Sequence, residues 1–396
     1  MKKISARWRN LYTKAGFSSF MASLLAILCG LVVGFVVLLV ADPANAFWGL
    51  LAILTGGLSD MKNLGQVLYA ATPIILTGLS VGFANKTGLF NIGASGQFIV
   101  GAYVAVLMGV KCTFIPGPLL WLACLLGAML AGAVWGLVPG FLKAVCNVNE
   151  VIACIMMNYI GMYGVNFLIQ LTVFDSLKNQ SLPVAENANA PKLGMDLIFR
   201  SGATASSANA GIFIAVLAGV VIYYLIEKTK FGYELKACGY NRDAARYAGI
   251  NETRSIVLSM VIAGALSGLG GACLYLAGAG KGIEVLDTLA AEGFNGIPVA
   301  LLGMSNPIAI IFTGTFMAYL TQGGLSMQSY GFPTQIVDIM SAVIIYFAAF
   351  ALFFSQLIGK IKLAPKAAAQ EKVETDHQEL QDQTRQAEDG KGGEGQ

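Results

Sequence analysis

Ten stretches of the chain stay apolar long enough to span a hydrocarbon core, which takes about 20 residues of helix. They run over 18–41, 67–84, 94–110, 119–138, 151–174, 210–226, 255–276, 286–304, 307–320 and 335–356. Only Ser305 and Asn306 part the eighth from the ninth. A shorter apolar stretch, 45–60, is expected to lie in the interface or to re-enter it. Small-xxx-small pairs at Gly78/Gly82, Gly132/Gly136 and Gly264/Gly268 suit close helix crossings. The pattern predicts an all-α polytopic membrane protein with about ten transmembrane helices, filling 18–358 between an N-terminal segment 1–17 and a tail 359–396.

Composition agrees. Of 396 residues, 56% are hydrophobic and 12% charged, where a soluble domain carries about 25% charged residues. Lys and Arg orient the spans. With the N-terminus inside, 16 fall on inner segments and six on outer ones, Lys62, Lys111, Lys178, Lys192, Arg200 and Lys281. Both termini are therefore expected in the cytoplasm and loop 175–209 outside. From Ala367 the chain holds three basic and eight acidic residues and few large apolar ones, the composition of a disordered, acidic tail.

The charges that remain limit the chemistry. Three acids fall within the spans, Asp287, Glu292 and Asp338, and only Glu292 lies away from a span's end. An ion-coupled carrier needs a working charge at depth, so a secondary transporter of a small neutral solute is the weaker reading. The seven cysteines form no CxxC pair and the single histidine, His377, lies in the tail, which excludes the familiar zinc and Cys/His patterns. "GAGKGI" at 278–283 has the Gly-Lys of a P-loop. Tyr275, however, stands at the first glycine and Gly282 at the Ser/Thr. No cofactor or metal is expected on this chain, and any nucleotide would be hydrolysed elsewhere.

Two apolar runs are broken by polar and glycine residues, "GLFNIGASGQ" (88–97) and "AEGFNGIPVALLG" (291–303). On the topology above they enter from opposite sides, as an inverted repeat would have them. Asn91, Ser95, Gln97, Phe294 and Asn295, with Asn158 on the span 151–174, are the candidates for a pathway taking an uncharged polar solute. The basic inner loop 227–254 holds a second candidate. Asn241 can cap a helix over 242–247 that Gly249 ends, and Ala244, Ala245 and Ala248 give it a small-residue face suited to docking.

Four segments in order, "ATPIILTGLSVGFANKTGLFNIGASGQFIVGAY" (71–103), "VNEVIACIMMNYI" (148–160), "ACGYNRDAARYAGI" (237–250) and "GFNGIPVALLGMSNP" (293–307), resemble the permeases of bacterial ABC importers in the branched-chain-amino-acid/ribose superfamily. The closest likeness is to the longer permease of guanosine/nucleoside importers. One position departs, with Ser95 standing where the family has Glu. The resemblance implies a type II importer fold in the bacterial cell membrane and a second, different but related permease subunit. It further implies a cytoplasmic ABC ATPase carrying the ATP, and an external solute-binding lipoprotein. It assigns Gly239, Asn241, Ala244, Ala245, Gly249 and Ile250 to the ATPase-coupling loop, and favours a nucleoside over a simple sugar.

Overall fold

The computed structural model describes residues 15–278 and 280–349. The N-terminal segment before residue 15 and the tail 359–396 lie outside them. Contacts divide the chain into residues 27–348 and a second unit of residues 1–26 and 349–396; the packing described below belongs to the first.

The elements run α1 (Ala15–Ala41), α2 (Ala46–Gly56), α3 (Met61–Lys86), α4 (Ala94–Lys111), α5 (Gly117–Cys146) and α6 (Glu150–Thr172). After them come two hairpins, β1 (Phe174–Asp175) with β2 (Gln180–Ser181), and β3 (Arg200–Ser201) with β4 (Thr204–Ala205), around the short α7 (Met195–Ile198). The chain continues with α8 (Gly211–Lys228), α9 (Lys230–Tyr240), α10 (Arg242–Tyr247), α11 (Glu252–Tyr275), α12 (Ala291–Phe294), α13 (Gly296–Leu302), α14 (Pro307–Ser326) and α15 (Gln335–Ala349).

Short polar side chains start many of these helices by accepting the backbone N–H groups that an N-terminus leaves unpaired. Asp60 caps α3, Asn149 α6, Thr229 α9, Asn241 α10, Asn251 α11 and Asn306 α14. The buried centre is α3 and α11. α3 packs against α11, α13 and α14, and α11 against α5 and α4.

The seam between α5 and α11 runs through the glycine pairs seen in the sequence. A β-carbon on Gly132 would stand 2.3 Å from the Gly264 carbonyl oxygen, and one on Gly268 2.3 Å from that of Ala128. The backbones touch, so dispersion and Cα–H···O contacts replace side-chain interdigitation.

Eight described helices are long and apolar enough to cross a membrane. They coincide with the first seven expected spans and the ninth. The tenth, 335–356, begins as α15 and continues outside the described residues. The eighth, 286–304, is corrected. It is irregular to residue 290 and then forms α12 and α13, of four and seven residues. Hydropathy registers composition but not continuity, and Gly293, Asn295, Gly296 and Pro298 interrupt the helix. The segment still travels along α3. Thr77 Oγ1 donates to the Glu292 carbonyl at 3.1 Å, and Asn85 Nδ2 donates to Ser305 Oγ at 2.7 Å.

Candidate functional site

The first polar break begins where α3 ends. Gly88 takes φ +73°, a left-handed turn that suits glycine. Thr87 Oγ1 lies 2.5 Å from Ser259 Oγ of α11. The chain then turns back into the bundle before α4 starts at Ala94, leaving that helix a buried N-terminus without a cap from its own sequence. Asn158, about 12 Å along α6 from Glu150 at 1.5 Å per residue, supplies one. Its Oδ1 accepts the Gly96 N–H at 2.8 Å, while its Nδ2 donates to the Ile92 carbonyl at 3.0 Å.

Asn91 and Gln97 form a reciprocal amide pair in the same place. Asn91 Nδ2 donates to Gln97 Oε1 at 2.8 Å, Gln97 Nε2 returns to Asn91 Oδ1 at 3.2 Å, and Asn91 Nδ2 also reaches Ser80 Oγ at 3.0 Å. Asn91 is 0% exposed and Gln97 1%. The polar break is thus internally satisfied, as backbone outside regular helix must be at this depth.

The two breaks touch. Ser95 Oγ donates to the Ala290 carbonyl at 2.9 Å, and a β-carbon on Gly293 would fall 2.3 Å from Ser95 Cα. Above this contact lies a cavity of 240 Å³ lined by Ser95, Met162, Asn166, Tyr275, Thr288 and Glu292, among others. Its roof is the strand-like segment 281–290, laced to the hairpin β1–β2. The Ser181 N–H donates to the Ile283 carbonyl at 2.8 Å, the Ile283 N–H returns to Ser181 Oγ at 2.9 Å, and Asn166 Nδ2 holds the Leu286 carbonyl at 2.9 Å. Lys281 Nζ stands 3.5 Å from Glu292 Oε1 and 5.8 Å from the Tyr275 ring centroid.

Of the six pathway candidates, Asn91, Ser95, Gln97 and Asn158 form one cluster, and Ser95 alone lines the cavity. Phe294 and Asn295 sit at the second break, where Asn295 is exposed. Tyr275, Lys281 and Thr288 were not candidates from sequence. The charges of "GKGIEVLD" (280–287), which runs into the expected eighth span at Leu286, are the available signal that this stretch is a polar roof.

In loop 227–254 the expected helix is present. Asn241 Oδ1 accepts the Ala244 N–H at 3.0 Å, and Gly249 takes φ +80°. The Ile250 N–H reaches the Ala245 carbonyl and the Gly249 N–H that of Arg246, a Schellman end. The expected small-residue face is only partly free. Ala245 is 4% exposed and turned inward, because residues 244 and 245 are about 100° apart around a helix. The free face carries Ala244 and Ala248, with Tyr240 and Tyr247 90% and 94% exposed. Gly239, just before the helix, lies against the first break; a β-carbon there would stand 2.8 Å from the Thr87 carbonyl carbon and 2.9 Å from the Gly88 nitrogen.

Residues 63–349 match the family described as the permease component of the branched-chain amino acid transport system. The guanosine ABC transporter permease protein NupP of Bacillus subtilis is 37% identical over 87% of this chain and 97% of its own length. The nucleoside ABC transporter permease protein NupB of Lactococcus lactis is 34% identical over 88% and 96%. The glucose ABC transporter permease protein TsgB13 of Haloferax volcanii is 32% identical over 84% and 87%. The two bacteria each hold a second, more distant match, NupQ and NupC. No solved structure matches the chain.

Proposed function

Because this chain belongs to the branched-chain amino acid transport permease family, as a multi-pass membrane subunit whose ATP is hydrolysed by a partner, we propose that the solute it carries inward is a nucleoside. A separate lipoprotein presents the solute outside, and a related second permease completes the passage. The guanosine and nucleoside relatives support the solute class. So does the cavity, which sets the Tyr275 ring beside the Ser95 and Thr288 hydroxyls, the Asn166 amide and the Lys281–Glu292 pair, a mixture of aromatic face, donors and acceptors that suits a heterocycle joined to a sugar. Lys/Arg bias supports placing both termini and loop 227–254 in the cytoplasm. There the free face of α10 docks the ATPase.

The nucleoside rests on the relatives, and the observation that carries the coupling to the ATPase is the backbone contact of Gly239 with Thr87 and Gly88. It joins the foot of the capped inner helix to the polar break, so a push on one is felt by the other without a compressible side chain between them. The test is uptake into proteoliposomes holding this chain, the second permease, the ATPase and the binding protein. ATP-dependent entry of labelled guanosine, displaced by uridine but not by glucose, is expected. Displacement by glucose alone would assign the sugar, and entry indifferent to ATP would overturn the proposal.

A further inference from the structure

The long helices differ in what they turn outward. α5 exposes Leu119, Leu126, Leu130, Val134, Phe141 and Val145, and α8 exposes Phe213, Leu217, Val220 and Val221. Both faces offer hydrocarbon to hydrocarbon. α6 departs from this. Tyr159 and Tyr163 are 46% and 55% exposed and flank Gly161, the midpoint of the 23-residue helix Glu150–Thr172. At 1.5 Å per residue each Cα is about 3 Å from the centre of the span.

That position is wrong for lipid. Tyrosines favour the headgroup level, where the ring is in hydrocarbon and the hydroxyl in water. An unpartnered hydroxyl in an apolar medium costs about 2–7 kcal/mol. Among the described residues neither hydroxyl has a hydrogen-bond partner. The exposed amide of Gln170 lies on the same stripe, seven residues beyond Tyr163 and so about 20° round the helix from it. A β-carbon at the neighbouring Gly164 would meet nothing within 4 Å, leaving room for a close approach. The stripe also borders the cavity, since Met162 and Asn166 of the same helix line it.

We propose that the stripe Met156, Tyr159, Tyr163, Phe167 and Gln170 of α6 is the seat of the second permease subunit, whose own polar groups pair with the two hydroxyls and the amide. The proposal rests on the two-permease reading above, and it chooses which side of this chain the partner covers. A different chain is favoured over a second copy, because the two bacteria with nucleoside relatives each hold two distinct permeases that match this chain.

The test uses the complete complex of both permeases and the ATPase, with the accessible cysteines of this chain replaced by serine. A nitroxide is placed singly through Tyr163→Cys or Leu130→Cys, and oxygen accessibility is read by power saturation, with uptake measured on the same sample. Adding the second permease should lower accessibility severalfold at position 163 and leave 130 unchanged. A Tyr159→Phe/Tyr163→Phe chain, which keeps the rings and removes the hydroxyls, should reach the normal folded level yet retain the second permease severalfold less well. A transporting complex in which 163 stays as oxygen-accessible as 130 overturns the seat while leaving the function intact. Loss of accessibility in this chain alone, at equal concentration, would assign the face to a second copy and also overturn it. A complex that transports without any second permease would defeat the two-permease reading itself.

Discussion

Gly239 and Gly88 meet backbone to backbone, so that a β-carbon on Gly88 would stand 2.8 Å from the Gly239 Cα. Gly239→Ala sets a methyl against the Thr87 carbonyl carbon and the Gly88 nitrogen, and neither is a flexible side chain that can swing away. Overpacking of this kind costs about 1–3 kcal/mol. It pushes loop 227–254 off the break, so uptake should fall by about tenfold, equivalent to ~1.4 kcal/mol on the limiting step, while the ATPase still co-purifies. Normal uptake from this variant would show that the contact transmits nothing.

Asn91→Ala removes both partners of the Gln97 amide, which makes no other hydrogen bond among the described residues. A buried amide left unpaired costs about 1–3 kcal/mol. The thermal midpoint of the purified complex should drop accordingly. Adding Gln97→Met, which removes the orphaned groups, should cost less than the sum of the two single changes. Strict additivity would mean that the two amides do not act as a pair.

On α10, Ala244→Arg and Ala245→Arg should fail differently. Position 244 is exposed and 245 buried. The first should fold to normal levels but lose the ATPase in pull-down. The second forces a charged side chain into a closed site and should lower the folded yield itself. Retention of the ATPase by Ala244→Arg would place the docking face elsewhere.

Lys281→Met should barely alter stability, since a partly exposed ion pair is worth about 0–1 kcal/mol and its side chains are 44% and 30% exposed. It should instead shift, severalfold, the solute concentration that half-saturates uptake, because Lys281 lines the cavity beside Tyr275. A loss of folded protein with unaltered half-saturation would make the pair a structural strap.

The parts of this architecture that depend on neighbours in sequence could be read from it. Asn241, Gly249 and the helix between them obey local capping chemistry, and the glycine pairs of α5 and α11 follow helical spacing. What depends on a third element could not. The direction in which Ala245 turns is set by packing. Asn91 and Gln97 are six residues apart across a non-helical turn, so no periodicity pairs them, and the Asn158 cap on α4 joins residues 62 apart. The cavity takes Ser95, Asn166, Tyr275 and Thr288 from four separate stretches of chain. The Gly-Asn-Gly-Pro interruption of 286–304 was visible, yet its mean apolarity outweighed it on a scale that measures transfer to lipid and ignores helix continuity.

The bare glycine seam between α5 and α11 has a consequence for how the chain is made. Synthesis delivers α5 more than 100 residues before α11, and at translation rates of about 5–20 residues per second the gap is many seconds. Through that interval Gly132 and Gly136 lack the α11 backbone against which they close. The seam therefore closes late, when residues 252–275 enter the bilayer, and a chain halted before Glu252 would leave this groove open. The grip of these two helices marks the moment at which the nascent permease becomes a finished one.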